Sequence, residues 1–141
     1  MPRPANALIV DDEPHVLVLL RGILKQLGVE TVWETSDGPQ ALELAAEHKP
    51  EVVLLDLNLP EVDGLKVLSS LKAGHPKIPV IIVSAQSTMR SFARARELGA
   101  EGYVLKHAPK SEVIQTISDI FDAIAKKSGG DAAGEKPPSP P

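Results

Sequence analysis

Five short apolar runs of strand type recur along the chain: residues 7–10 (ALIV), 30–34 (ETVWE), 52–55 (VVLL), 80–83 (VIIV) and 102–105 (GYVL). Three of them, ALIV, VVLL and VIIV, are apolar at every position, which suits strands buried on both faces of a parallel sheet. The segments between the runs carry a helical period. Val16, Leu20, Ile23, Leu24 and Leu27 fall on one helix face, with Pro14 in the first turn and Gly28 at the C-terminal cap. Asp37 with Gln40 has the form of a capping box, opening a helix whose apolar face is Ala41, Leu44 and Ala45. Asp63 is placed to cap a helix over 65–73, and Ser87 one over 88–98 that Gly99 closes. A last helix is expected over about 110–126, with Val113, Ile114, Ile117, Ile120, Phe121 and Ile124 facing inward.

Five β-then-α units in succession imply an α/β fold, a doubly wound parallel sheet of five strands with five helices covering both faces. Right-handed crossovers leave few topologies, and the flavodoxin-like order 2-1-3-4-5 is the expected one. In such sheets ligands bind beyond the carboxyl ends of the strands, so the polar residues there carry the candidate chemistry.

The first run is followed by Asp11, Asp12 and Glu13, the third by Asp56, the fourth by Ser84 and the fifth by Lys106. In the 2-1-3-4-5 order strands 1, 3, 4 and 5 are neighbours, so these side chains converge on one edge. Two like charges at 4 Å repel by roughly 4 kcal/mol at an effective dielectric of 20. A hard divalent cation with oxygen ligands, such as Mg²⁺, relieves that repulsion. A carboxylate can attack phosphorus to form an aspartyl phosphate, with a cation and Lys106 neutralising the phosphoryl oxygens and Ser84 adding a hydroxyl donor. Singly, Ser84 and Lys106 say little, and Glu13 reads as a helix N-terminal acid favoured by the dipole. The set at matching strand ends is far more specific. The four histidines show no metal-type spacing. His15 and His107 fall near the mouth, His48 and His75 read as solvated, and Trp33 reads as strand packing.

Composition narrows the classes. The chain has 141 residues, enough for one domain, and is 43% hydrophobic with only 3% aromatic residues, so its core must be aliphatic. A net charge of −4 argues against direct nucleic-acid binding. The absence of cysteine excludes disulfides, thiol catalysis and Cys-based zinc sites. No apolar run approaches a membrane span and no leader is visible, so a cytoplasmic location with no membrane partner is the default. No GxGxxG or Walker motif supports a nucleotide site. Residues 1–126 read as the folded domain. Residues 127–141, KSGGDAAGEKPPSPP, hold no large apolar residue and read as a disordered Gly/Pro-rich tail or linker.

IVDDEP, LLDLNLPEVDG, VIIVSAQ and GAEGYVLK, in that order and spacing, resemble the receiver domains of bacterial two-component response regulators, over about residues 5–126. The resemblance implies a role for each matching position. Asp56 is the phosphoacceptor, taking a phosphoryl group from a sensor histidine kinase or a phosphotransfer protein. Asp12 ligates Mg²⁺ directly, Asp11 holds metal-bound water, and Asn58 gives its backbone carbonyl to the metal. Ser84 is the switch hydroxyl, Ala85 the small residue that leaves room, Lys106 the partner of the phosphate and Tyr103 an aromatic switch. The resemblance further implies only self-phosphorylation and slow autodephosphorylation rather than enzymatic turnover. It also implies control of a downstream effector or the protein's own output domain, with a phosphorylation-dependent dimer as one outcome. The output is expected on the face of the fourth helix, fifth strand and fifth helix, around Met89, Arg90, Arg94 and Tyr103. In one respect the chain departs from the pattern: most receivers place Pro directly after the lysine, whereas here His107 and Ala108 come before Pro109. That variant resembles receivers that precede a helix-turn-helix DNA-binding domain, so an N-terminal fragment of a transcriptional regulator is the alternative. A phosphatase of the haloacid-dehalogenase type fits less well, because its DxD pair follows the first strand of its domain. A flavodoxin-like binding module needs a Ser/Thr/Gly-rich loop where this chain has DDEPH.

Overall fold

In the computed structural model, which describes residues 4–59 and 62–133, the apolar runs become neighbouring strands of a single sheet. In chain order the elements are β1 (Asn6–Val10), α1 (Pro14–Gln26), β2 (Thr31–Thr35), α2 (Gly38–His48), β3 (Val52–Leu55), β4 (Asn58–Leu59), β5 (Val62–Asp63), α3 (Gly64–Gly74), β6 (Val80–Ser84), α4 (Met89–Glu97), β7 (Gly102–Leu105) and α5 (Lys110–Ala133). The sheet runs β2-β1-β3-β6-β7, parallel throughout. This is the expected 2-1-3-4-5 order once the separate two-residue hairpin β4–β5 is left out of the count.

Because strand side chains alternate between faces, every second residue of the apolar runs goes to a different layer. Ala7, Ile9, Leu54, Ile81 and Val104 pack under α1 and α5, against Leu20, Ile23, Leu24, Ile117 and Phe121. Leu8, Val10, Val53, Leu55 and Ile82 pack under α2, α3 and α4, against Ala41, Ala45, Val67, Leu68, Leu71 and Ala95. The runs are apolar at every position because both faces are covered. Among the described residues no helix is long and apolar enough to cross a membrane.

Several helix ends follow the expected chemistry. Gly28 takes φ +101 just past α1, and Asp63 accepts from the Leu65 N–H at 2.9 Å. Others differ. Asp37 caps α2 by accepting from the Gln40 N–H at 3.1 Å, but the Gln40 side chain does not close the box. It bonds the Thr35 hydroxyl, and that hydroxyl accepts from the Asp37 N–H in its place. Thr88, not Ser87, caps α4, because its Oγ reaches the Ser91 N–H three residues on. The last helix continues seven residues beyond the expected end at 126, to Ala133. No proline interrupts it before Pro137. The rest of the expected tail, 134–141, lies outside the described residues. The hairpin after Asp56 was not foreseen. Its tight approach requires Gly64, where a Cβ would lie 2.4 Å from the Leu57 Cα.

Candidate functional site

Strand register brings the candidate residues together. Val10 pairs with Leu55 and Ser84 with Leu105. The residues one step further, Asp11, Asp56 and Lys106, therefore leave the sheet side by side. The Asp56 N–H donates to the Val10 carbonyl at 2.9 Å, and the Lys106 N–H to the Ser84 carbonyl at 2.8 Å. Asp11, Asp56, Ser84 and Lys106 are all buried, whereas Asp12 sits exposed on the rim.

The Lys106 ammonium is the hub. Its Nζ lies 2.8 Å from Asp56 Oδ2, 3.3 Å from Asp11 Oδ1 and 3.1 Å from Asp11 Oδ2. Only Oδ1 of Asp11 lies in a hydrogen-bonding direction, and Oδ2 is buried with no hydrogen-bond partner. The other carboxylate oxygens hold the loops: Asp11 Oδ1 accepts from the Glu13 N–H at 2.9 Å and Asp56 Oδ1 from the Asn58 N–H at 3.0 Å. Burial pushes the Asp11 carboxyl above its ordinary range and the nearby Asp56 charge adds to this, against the Glu13 N–H and the Lys106 charge. For Lys106 burial is the largest single influence and acts downward. The bond and charge of Asp56 together with those of Asp11 more than offset it, so its pKa is raised and the ammonium stays charged at neutral pH.

Two buried carboxylates thus share one buried cation, with a third carboxylate beside them. One oxygen from each of Asp11, Asp12 and Asp56 lies within 4.8 Å of the other two. The Asp11 oxygen that accepts no hydrogen bond, the excess negative charge and the all-oxygen donor set fit a hard divalent ion that keeps several waters.

Ser84 ends β6 with its Oγ accepting from the Gln86 N–H at 3.1 Å. The Tyr103 hydroxyl donates to the Gln86 carbonyl at 3.0 Å, and its ring meets Phe92 edge-on at 4.4 Å. Gln86 therefore joins the two expected switch residues. Tyr103 is already tied to the loop that leaves Ser84 rather than standing free to turn.

Three readings of the sequence change. Glu13 stands at the N-terminus of α1 as expected, without a side-chain cap bond, but that is not its whole role. It reaches Lys106 Nζ at 3.4 Å and His15 Nε2 at 3.3 Å, and so belongs to the charge cluster. Its signal was present, an acid directly following the Asp pair, but only the position of Lys106 shows which way it turns. His48 is not simply solvated: its ring stacks on Trp33 with centroids 4.4 Å apart. Arg90 and Arg94, expected around one surface with Tyr103, line a different groove from it. They line a groove toward the β4–β5 hairpin, while Tyr103 lies in another with Phe92 and Arg96. Residues two apart on a helix point to opposite sides.

The chain matches the family model for the response regulator receiver domain over residues 7–118. It is similar to the polar-differentiation response regulator DivK of Brucella anthropi, 38% identical over 120 residues that cover 84% of this chain and 97% of that protein. It is also similar to the transcriptional regulatory protein PdtaR of Mycobacterium tuberculosis, 35% identical over 114 residues, covering 81% of this chain and 55% of that protein. The chain thus spans about half the length of that regulator, and of PrrA of the same species. Among solved structures it is similar to a chain of the CheX–CheY–BeF₃–Mg²⁺ complex of Borrelia burgdorferi. The TM-score is 0.77 with 26% identity, over 84% of this chain and 90% of that one.

Proposed function

We propose that this chain, which belongs to the response regulator receiver domain family, works as a phosphorylation switch whose acceptor is Asp56. Receiver domains are signalling modules of two-component systems, not classical enzymes. The donor is a sensor histidine kinase or a phosphotransfer protein. An Asp56 carboxylate oxygen attacks phosphorus, a P–O bond forms and the P–N bond of the donor's phosphohistidine breaks. The departing imidazole keeps the electron pair and takes a proton. The same chemistry with a small acyl phosphate gives self-phosphorylation, and attack by water on the aspartyl phosphate gives slow autodephosphorylation.

Asp11, Asp12 and Asp56, with the Asn58 carbonyl, are the groups that would hold Mg²⁺, whose charge supplies neutralisation of the incoming phosphoryl oxygens. Lys106, already 2.8 Å from Asp56, is placed to follow the new negative charge. Ser84 is placed to add its hydroxyl, which pulls on the Gln86 segment and through it on Tyr103. Charge-assisted bonds of roughly 1.5–3 kcal/mol each from Lys106 and Ser84 supply much of the about 5.5 kcal/mol that carries a two-state equilibrium from 1:99 to 99:1. The switched surface then controls an effector, an output domain or a dimer, in the cytoplasm.

The observation that carries this reading is the buried Lys106–Asp56 pair beside the Asp11 oxygen that accepts no hydrogen bond. With acetyl phosphate and Mg²⁺ the chain should gain one base-labile phosphoryl group, seen by intact mass. Asp56→Asn should abolish the gain and EDTA should prevent it. Full uptake in the variant, or uptake indifferent to EDTA, overturns the assignment. A second reading, the receiver part of a longer transcriptional regulator, is favoured by the half-length matches to the transcriptional regulatory proteins PdtaR and PrrA. It changes the output and leaves the Asp56 chemistry as it is.

A further inference from the structure

Beside the Asp56 pocket a groove of about 400 Å³ runs between the β4–β5 hairpin and α4. Half-buried Leu57 and Leu65 line it together with exposed Arg90 and Arg94. Neither arginine has an ion-pair partner among the described residues. The one acid in the lining among the described residues, Asp63, uses a carboxylate oxygen to cap α3.

The placement of Arg90 runs against local electrostatics. Arg90 stands in the first turn of α4, where the helix dipole favours an acid, and that turn contains none. Arg94 repeats the same charge four residues on, a spacing at which like charges destabilise a helix. α4 is also weakly anchored, with Ala95 its one buried residue. Arg94 itself stands in the last turn of α4, where the dipole favours a cation. But on a chain of net charge −4 two cations four residues apart with no ion-pair partner among the described residues mark a surface built for something outside the chain.

We propose that this groove docks an acidic, leucine-bearing segment of a partner protein. Carboxylates of the segment pair with the two guanidinium groups, whose planar forks match them two bonds at a time. An apolar side chain of the segment covers Leu57 and Leu65. A nucleic acid is disfavoured, because two arginines make no basic stripe and the net negative charge repels a polyanion. Asn58 and Gln86 also line the groove, so an occupant touches both loops that leave the Asp56 pocket. The proposal does not depend on phosphorylation of Asp56.

The test uses the full chain and a fluorescent peptide of alternating glutamate and leucine, with a glutamine-for-glutamate peptide and a short RNA duplex as comparisons. Saturable binding of the acidic peptide is expected, with NMR shifts at Leu65, Gln86, Arg90 and Arg94. Arg90→Glu with Arg94→Glu should weaken it by roughly tenfold or more, about 1.4 kcal/mol. Arg90→Gln with Arg94→Gln serves the same purpose if charge reversal disturbs folding, as read by circular dichroism. Arg96→Glu, on the opposite side of α4, should leave affinity within about twofold. Equal loss with Arg96→Glu overturns the proposal, as do shifts centred elsewhere, preference for the glutamine peptide or the RNA at the arginines, or no binding.

Discussion

Asp11 is buried beside Asp56 with one oxygen that accepts no hydrogen bond, and its pKa lies above the ordinary 3.8, chiefly through burial. An acid whose pKa rises on folding binds its proton more tightly in the native state. Its ionisation therefore costs stability, absent below the unfolded value and growing as pH rises through the folded one. Asp11→Asn keeps an acceptor for the Glu13 N–H and removes the charge. Without metal the variant should be more stable than the wild type at pH 7, by about 1 kcal/mol or roughly 3–5 °C in Tm. The difference should vanish as pH falls below 4. Adding Mg²⁺ should raise the wild-type Tm, because the ion binds the native state, and leave the variant nearly unmoved. A less stable Asp11→Asn protein in EDTA at pH 7 would show that Lys106 needs both carboxylates for folding.

The segment from Ser84 to Thr88 connects the buried pocket to α4, and Gln86 is its midpoint. Its N–H holds the Ser84 hydroxyl and its carbonyl holds Tyr103. If Ser84 leaves Gln86 for a phosphoryl oxygen, the first of these bonds breaks and the second is pulled. With beryllofluoride as phosphoryl mimic, NMR shifts should extend from Asp56 through Ser84 and Gln86 to Tyr103, Phe92 and α4. Ser84→Ala should confine them to the strand ends while leaving phosphoryl uptake largely intact. Shifts that travel through α2 and α3 would place the output elsewhere. The weak anchoring of α4 suits this role, since an element that must move belongs to the low-stability end of the structure.

For the molecule as a whole, stability rests on the two apolar layers, to which α5 contributes Val113, Ile117 and Phe121 with Ile114 and Ile120 beside them. Beyond residue 126 the sequence offers no large apolar side chain. Deleting residues 128–141 should therefore leave Tm within about two degrees and phosphoryl uptake unchanged. A fall of several degrees would mean that the tail docks on the domain.

The layer order, the strand identities and the convergence of Asp11, Asp56, Ser84 and Lys106 were legible in the chain itself. Runs such as VVLL and VIIV have one stable setting, between two covered faces, and a parallel sheet presents the residue after each strand at one edge. The start of α4 was legible to within a residue, as the shift from Ser87 to Thr88 shows, because two neighbouring hydroxyls compete for one cap and the backbone angle decides, whereas the end of α5 lies seven residues beyond the expected 126. What needed tertiary structure was the direction in which single side chains turn between segments distant in sequence. The turn of Glu13 toward Lys106 depends on an ammonium 93 residues away, and the stack of Trp33 on His48 depends on how α2 lies over β2. Local pattern specifies which side chains an element offers and on which face. Whether an offered polar atom finds a partner, is left without a hydrogen bond like the second oxygen of Asp11, or faces an open groove like Arg90 is decided only when the elements pack, because Coulomb and hydrogen-bond energies depend on distances that the chain order does not contain.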